Sequence, residues 1–133
     1  MPPASPQPRV VAVVVAWNRR DLLAEVLEAL ARQAAGLARI VVVDNASTDD
    51  SADVARAAGP LVDLVRLDRN TGGAGGFAAG LAVALERHRP DWVWLMDDDT
   101  VPTPTALAEL LAAVDGTDAV VAGSRVVWTD GSD

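Results

Sequence analysis

The chain has 133 residues, half of them apolar, with 19 acidic side chains against 11 basic ones and a formal charge of −8. Every basic residue is Arg and there is no Cys. That excludes a disulfide framework, a thiolate nucleophile, a Cys-ligated zinc, a lysine Schiff base and a Walker lysine. An acidic chain without a basic block argues against nucleic-acid binding, so an anionic ligand has to be met by backbone N–H groups, a few Arg or a metal.

Residues 1–8, MPPASPQP, read as a flexible tail, because closely spaced prolines remove donors and disfavour helix. The tail lacks the layout of a signal peptide. The longest apolar run, Val10 to Trp17, falls short of the ~20 residues that span a bilayer. The expectation is a cytoplasmic protein, with peripheral association at the inner face of the plasma membrane compatible with that.

From Arg9 the chain alternates between two patterns. A β-branched run, Val10–Val15, leads to a helical pattern over Leu22–Ala35, with Asp21 placed to cap it and Gly36 to end it. A second run, Ile40–Val43, precedes a helix at Ala52–Ala58, where Ser47, Thr48 and Asp49 are candidate caps. A third, Leu61–Leu67, precedes a helix at Gly76–Arg87. A fourth, Trp92–Met96, precedes a helix at Thr105–Val114, and Ala119–Ala122 reads as a fifth strand. Trp17, Trp92, Trp94 and Trp128 read as core. Strand–helix alternation with apolar strands predicts an α/β fold, a mostly parallel sheet with helices on both faces, in one domain over residues 9–133.

In such sheets ligands bind beyond the carboxyl ends of the strands, and polar residues gather there. Asp97-Asp98-Asp99 follows the fourth run. Three adjacent carboxylates repel one another unless a cation offsets them, and oxygen-only ligands favour Mg²⁺ or Mn²⁺. In extended backbone Asp97 and Asp99 lie to one side and Asp98 to the other. The plainer alternative is a solvated acidic turn. Gly72-Gly73-Ala74-Gly75-Gly76 can bring backbone N–H groups close to a phosphate at a helix start, or can simply be a flexible turn. The same stretch contains a loose dinucleotide fingerprint, Gly73-x-Gly75-x-x-Ala78, but Asp68 to Thr71 separate it from its strand. Asp44-Asn45 ends the second run, where a carboxylate can accept hydrogen bonds from a ribose or base. Trp17-Asn18-Arg19 ends the first, and Arg19 suits a diphosphate or a surface ion pair equally.

The order of these four stretches resembles the nucleotide-binding half of a family 2 glycosyltransferase with the GT-A fold, from Val10 to about Val127. Asn70 to Phe77 is most similar to galactofuranosyltransferases and rhamnosyltransferase-type members. The resemblance implies that Asp44 holds uracil or another base, with Arg19 and the segment of Trp17 and Asn18 beside it. Asn45, Asn70, Gly72 and Gly73 would line the nucleotide-sugar site. Asp97 and Asp99 would form a metal-binding DxD motif for Mn²⁺ or Mg²⁺, and Asp98 would approach the ribose or donor sugar. It further implies a UDP- or dTDP-sugar donor, a glycan or lipid-linked acceptor, and inversion at the anomeric carbon. Ala16 and Ala79 depart from the pattern, standing where Thr and Arg are common. The general base is expected beyond Asp133; Asp115, Asp118, Asp130 and Asp133 qualify by residue type alone. The chain is therefore expected to lack the acceptor-binding half. The alternatives are a non-catalytic nucleotide-sugar-binding module, a Rossmann-type dinucleotide-binding oxidoreductase and a haloacid-dehalogenase-like phosphatase.

Overall fold

The computed structural model describes Pro3 and residues 6–133, so the remainder of the expected tail lies outside the described residues. Four parallel strands, β1 (Val10–Ala16), β2 (Arg39–Asp44), β3 (Val62–Arg66) and β4 (Trp92–Asp97), form one sheet in the order β3-β2-β1-β4. All seven residues of β1 are buried. This follows from its central place, with a neighbour on each edge and helices on each face, where only a continuous apolar run fits.

Alternation along the strands sorts the core into two layers. Ala12, Val14, Ile40 and Val42 pack with Leu23, Val26, Leu27 and Leu30 of α1 (Arg20–Ala31) and Ala55 of α2 (Ser51–Ala57). Val11, Val13, Val15, Val41 and Val43 pack with Phe77 and Val83 of α3 (Gly72–Val83) and with Ala84, which opens a wide π-helical turn over Ala84–His88. The start of α4 (Ala106–Val114) is fastened to the end of α1: the Gln33 carboxamide donates to Thr103 O and accepts from Leu107 N–H. No helix among the described residues is long and apolar enough to cross a membrane.

Several boundaries differ from the sequence reading. Helix α1 ends at Ala31, before Gly36, and Asp21 lies in its first turn without capping it. Ser47 and Thr48 do not cap α2; the Asp49 carboxylate accepts from the backbone and hydroxyl of Ser51 instead. Helix α3 begins at Gly72, not Gly76: Gly72 opens it at a left-handed φ of 75°, and Gly73, Gly75 and Gly76 lie within it. A Cβ on Gly76 would stand 2.6 Å from Val15 Cγ1, and one on Gly80 2.4 Å from Val13 Cγ1. These two glycines let the helix lie close on the sheet, a use of glycine that needs no loop. Ala119–Ala122 forms no strand: the segment is exposed, with Val120 and Val121 each more than four-fifths open, and it has no partner strand among the described residues. A single strand without a ladder leaves its backbone groups to water and has nothing to hold it extended. Trp17 and Trp128 are exposed, not core, whereas Trp92 and Trp94 are half-buried.

Candidate functional site

The chain reverses its direction of progress across the sheet between β1 and β4. That topological switch point opens a crevice at the carboxyl ends of the strands. The loops after all four strands meet there and are stitched into one rim.

Asp98 Oδ2 accepts from Trp17 N–H at 3.1 Å, joining the β4 loop to the β1 loop. Asn18, at a left-handed φ of 51°, joins β1 to β2: its N–H donates to Ser47 Oγ (3.0 Å), and its Oδ1 accepts from Thr48 N–H (2.7 Å) and Asp49 N–H (3.3 Å). Asn45 joins β2 to the start of α3, with Oδ1 accepting from Thr71 N–H (2.9 Å) and Nδ2 donating to Gly72 O (3.0 Å). Asn70 Oδ1 accepts from Gly72 N–H at 2.8 Å. These bonds tie together the neighbouring loops that carry the site residues read from the sequence, with Asn18, Asn45 and Asn70 acting as braces. Gly72 and Gly73 have open space where a Cβ would be, so their backbone is approachable from outside.

The acidic triplet alternates as its spacing predicts. Asp97 and Asp99 are exposed and Asp98 is buried. Arg19 Nη1 lies 2.7 Å from Asp99 Oδ2 and 3.4 Å from Asp98 Oδ1. The Asp97 side chain has no hydrogen-bond or ion-pair partner among the described residues. Three carboxylates against one guanidinium leave a surplus of negative charge, with the partnerless Asp97 carboxylate facing water. That balance and the all-oxygen donor set fit a hard divalent cation, which binds through one or two carboxylates and completes its shell with water and phosphate oxygens. Among the described residues no three acidic, His or Cys side chains come together as a group that could hold a metal ion, so the triplet would offer an ion at most two carboxylates at once.

Burial raises the pKa of Asp98, opposed by the Trp17 N–H bond and the Arg19 charge and reinforced by Asp99 and Asp97. A carboxyl whose folded pKa is raised is protonated more readily in the folded than in the unfolded chain. Its ionisation therefore subtracts stability as pH rises through the raised value, and that loss is absent below the ordinary aspartate range. Asp98→Asn keeps the size and an acceptor oxygen for Trp17 N–H. Compared with wild type in urea titrations across the acid range, it should gain relative stability as pH climbs from the ordinary aspartate pKa toward neutrality. A difference independent of pH would contradict the raised value.

Asp44 lies inside the protein, with its side chain 1% exposed and both oxygens engaged: Oδ1 accepts from Ser47 N–H (3.1 Å) and Oδ2 from Arg66 Nε (3.0 Å). Arg66, at the end of β3 in register with Asp44, has a half-exposed side chain and also donates to Ser47 O at 3.4 Å. Sequence reading missed it. The available signal was a charge set within the apolar run Leu61–Leu67. Two open depressions adjoin the rim. One of about 480 Å³ is lined by Asn18 to Leu22 with Asp49 and Asp50, and one of about 390 Å³ by Ala46, Ser47, Arg66, Leu67 and Asp68.

The model of glycosyl transferase family 2 matches residues 11–133. The chain belongs to this family. Galactofuranosyltransferase GlfT1 of Mycobacterium tuberculosis is 42% identical over 109 residues, covering 80% of this chain and 36% of that protein. The mannosyltransferase PcManGT of Pyrobaculum calidifontis, solved with GDP-Man and Mn²⁺, is similar at a TM-score of 0.70 and 27% identity, over 82% of this chain and 33% of that one. S. aureus TarS 1–349, solved with UDP-GlcNAc, is similar at 0.66 and 26%, over 80% and 31%. The chain spans about a third of the length of each. The α/β sheet is that of GT-A glycosyltransferases.

Proposed function

We propose that this chain binds a nucleotide-diphosphate sugar together with a divalent cation, for inverting transfer of the sugar to an acceptor hydroxyl. The observation that carries the reading is the rim itself. It places an under-compensated acidic triplet, an Arg and the open start of a helix at one switch point of a family 2 sheet.

Asp97 and Asp99 would hold Mn²⁺ or Mg²⁺, which when bound supplies charge compensation for the departing diphosphate. Arg19 stands on Asp99 and Asp98, and keeps the two carboxylates apart from each other's charge until a ligand arrives. Gly73 offers a backbone N–H group at the positive end of α3, where a diphosphate is favoured, beside Gly72, whose N–H is held by Asn70. Exposed Trp17 and Arg19 border the donor, and Asp98 holds the β1 loop beside it through Trp17 N–H. In the reaction the acceptor oxygen bonds to the anomeric carbon, the bond from that carbon to the diphosphate oxygen breaks, and the diphosphate leaves with the electron pair. The proton of the acceptor goes to a general base, to which no residue of this chain is assigned.

Relatives solved with UDP-GlcNAc and with GDP-Man and Mn²⁺ support a donor of this class. Titration calorimetry of the chain with UDP in the presence and absence of Mn²⁺ tests the reading. The expected result is saturable binding that requires the ion. Heat signals unaffected by Mn²⁺, or no binding of either UDP or GDP, would overturn it.

A further inference from the structure

Among the described residues, Arg19 is the one basic side chain paired with the acidic triplet. Its backbone is fixed. The residue stands at the N-cap of α1, and its carbonyl accepts from Leu23 N–H at 2.9 Å. Its side chain is freer: it is half-exposed, and its partners among the described residues are Asp99 and Asp98 alone. Both contacts run through Nη1, so Nε–H and the two Nη2–H donors remain unspent. A movable arm on a fixed base thus sets a single positive charge against two carboxylates and still has three donors to offer.

The three carboxylates are not equivalent. Asp98 is buried and holds Trp17 N–H. Asp97 is exposed and partnerless. Asp99 carries the shorter Arg19 contact, at 2.7 Å. To an ion shared by Asp97 and Asp99, the first carboxylate is open and the second already neutralised. Arg19 competes for Asp99, and a guanidinium left there would repel a divalent charge. An exposed pair of this kind is weak enough to exchange. A guanidinium that has left Asp99 keeps a planar fork suited to two oxygens of a diphosphate.

We propose that Arg19 is an exchangeable counter-ion that couples the two ligands: it sits on Asp99 in the metal's stead, yields that carboxylate to the ion, and turns its freed guanidinium to the diphosphate. This rests on the nucleotide and metal reading above and adds to it an origin for their coupling. Arg19 lowers affinity for the ion alone, and ceases to do so once a diphosphate draws the guanidinium away. By linkage, the ion raises affinity for the nucleotide by the same factor. Arg19 acts here as a positioning residue, through Asp99.

Free Mn²⁺ counted by electron paramagnetic resonance, without and with saturating UDP, tests the exchange on the full chain. Weak sites elsewhere on this acidic surface are removed by subtracting the signal of Asp97→Ala. Arg19→Met should bind Mn²⁺ alone about three- to tenfold more tightly than wild type, the worth of an exposed ion pair together with the relieved repulsion. The factor by which UDP tightens Mn²⁺ should shrink by a similar amount. Arg19→Lys, which keeps the charge, should hold Mn²⁺ affinity near that of wild type. An arginine that served only the diphosphate would leave binding of Mn²⁺ alone unchanged on removal, and one that served only to hold the loops would weaken it; either result overturns the proposal. Should Arg19→Met fail to fold, the wild type decides. Its Arg19 Nη–H resonances, restrained by the ion pair, should shift and sharpen toward those of a free guanidinium when Mg²⁺ is added without nucleotide, and unchanged resonances at saturating Mg²⁺ overturn the exchange. A wild type that binds neither Mn²⁺ nor UDP refutes the functional reading itself, a result distinct from Mn²⁺-dependent UDP binding that Arg19→Met leaves unaltered.

Discussion

Asp97→Ala should abolish Mn²⁺-dependent nucleotide-diphosphate binding and leave the fold as stable as before, or slightly more so. The side chain is exposed and partnerless. Its removal breaks no native contact and relieves repulsion from Asp98 and Asp99, so the change in stability stays within about 0.5 kcal/mol, as for ordinary surface positions. Function responds differently. Losing a direct carboxylate ligand should exceed the roughly 10–100-fold loss that follows removal of a ligand's outer partner. Asp99→Ala is a less clean comparison, because it also releases Arg19. Mn²⁺ titrations followed by calorimetry, with thermal melts in parallel, give both readouts. Undiminished Mn²⁺ affinity in Asp97→Ala would remove the ion from this site.

Gly80→Ala should destabilise the fold although alanine is the better helix former. The helical gain is about 1 kcal/mol. Against it stands the new Cβ, 2.4 Å from Val13 Cγ1 and 2.9 Å from Val43 Cγ2. Both valines are fully buried, on adjacent central strands, and β-branched side chains have little rotamer freedom with which to yield. Overpacking of this kind costs about 1–3 kcal/mol. The net effect should be a loss of about 1 kcal/mol, and Gly80→Val should lose more. Gly73→Ala is the control. Nothing lies within 4 Å of its Cβ, so it should fold with unchanged or higher stability. Urea midpoints for the three variants order the prediction; equal midpoints for Gly73→Ala and Gly80→Ala would show that α3 does not need its close approach.

The same glycines mark where sequence reading runs out. The four strands are legible because burial on both faces demands uninterrupted apolar runs, and Val10–Ala16 is one. The start of α3 is not. A run of glycines looks alike whether it forms a loop or lets a helix settle on valines, and only the tertiary distance from Gly80 to Val13 separates the two. The Ala119–Ala122 run carries a strand's composition without a strand's neighbour. Composition alone does not provide a ladder. At the site, Trp17, Asp44, Asn70 and Asp97 were legible because each follows or ends a strand on the ligand edge. Arg66 was hidden inside a strand, and its partner Asp44 is reached through parallel register, which no local pattern encodes.

The stitched rim has a consequence for how a guest is received. Since Asn18, Asn45 and Asp98 already tie neighbouring loops together, a visiting molecule meets walls that are set before it comes, and little chain freedom remains to be surrendered on docking. The ties also run in series. Loosening any one of them slackens two loops at once, so damage far from the carboxylates propagates to them along the edge of the sheet.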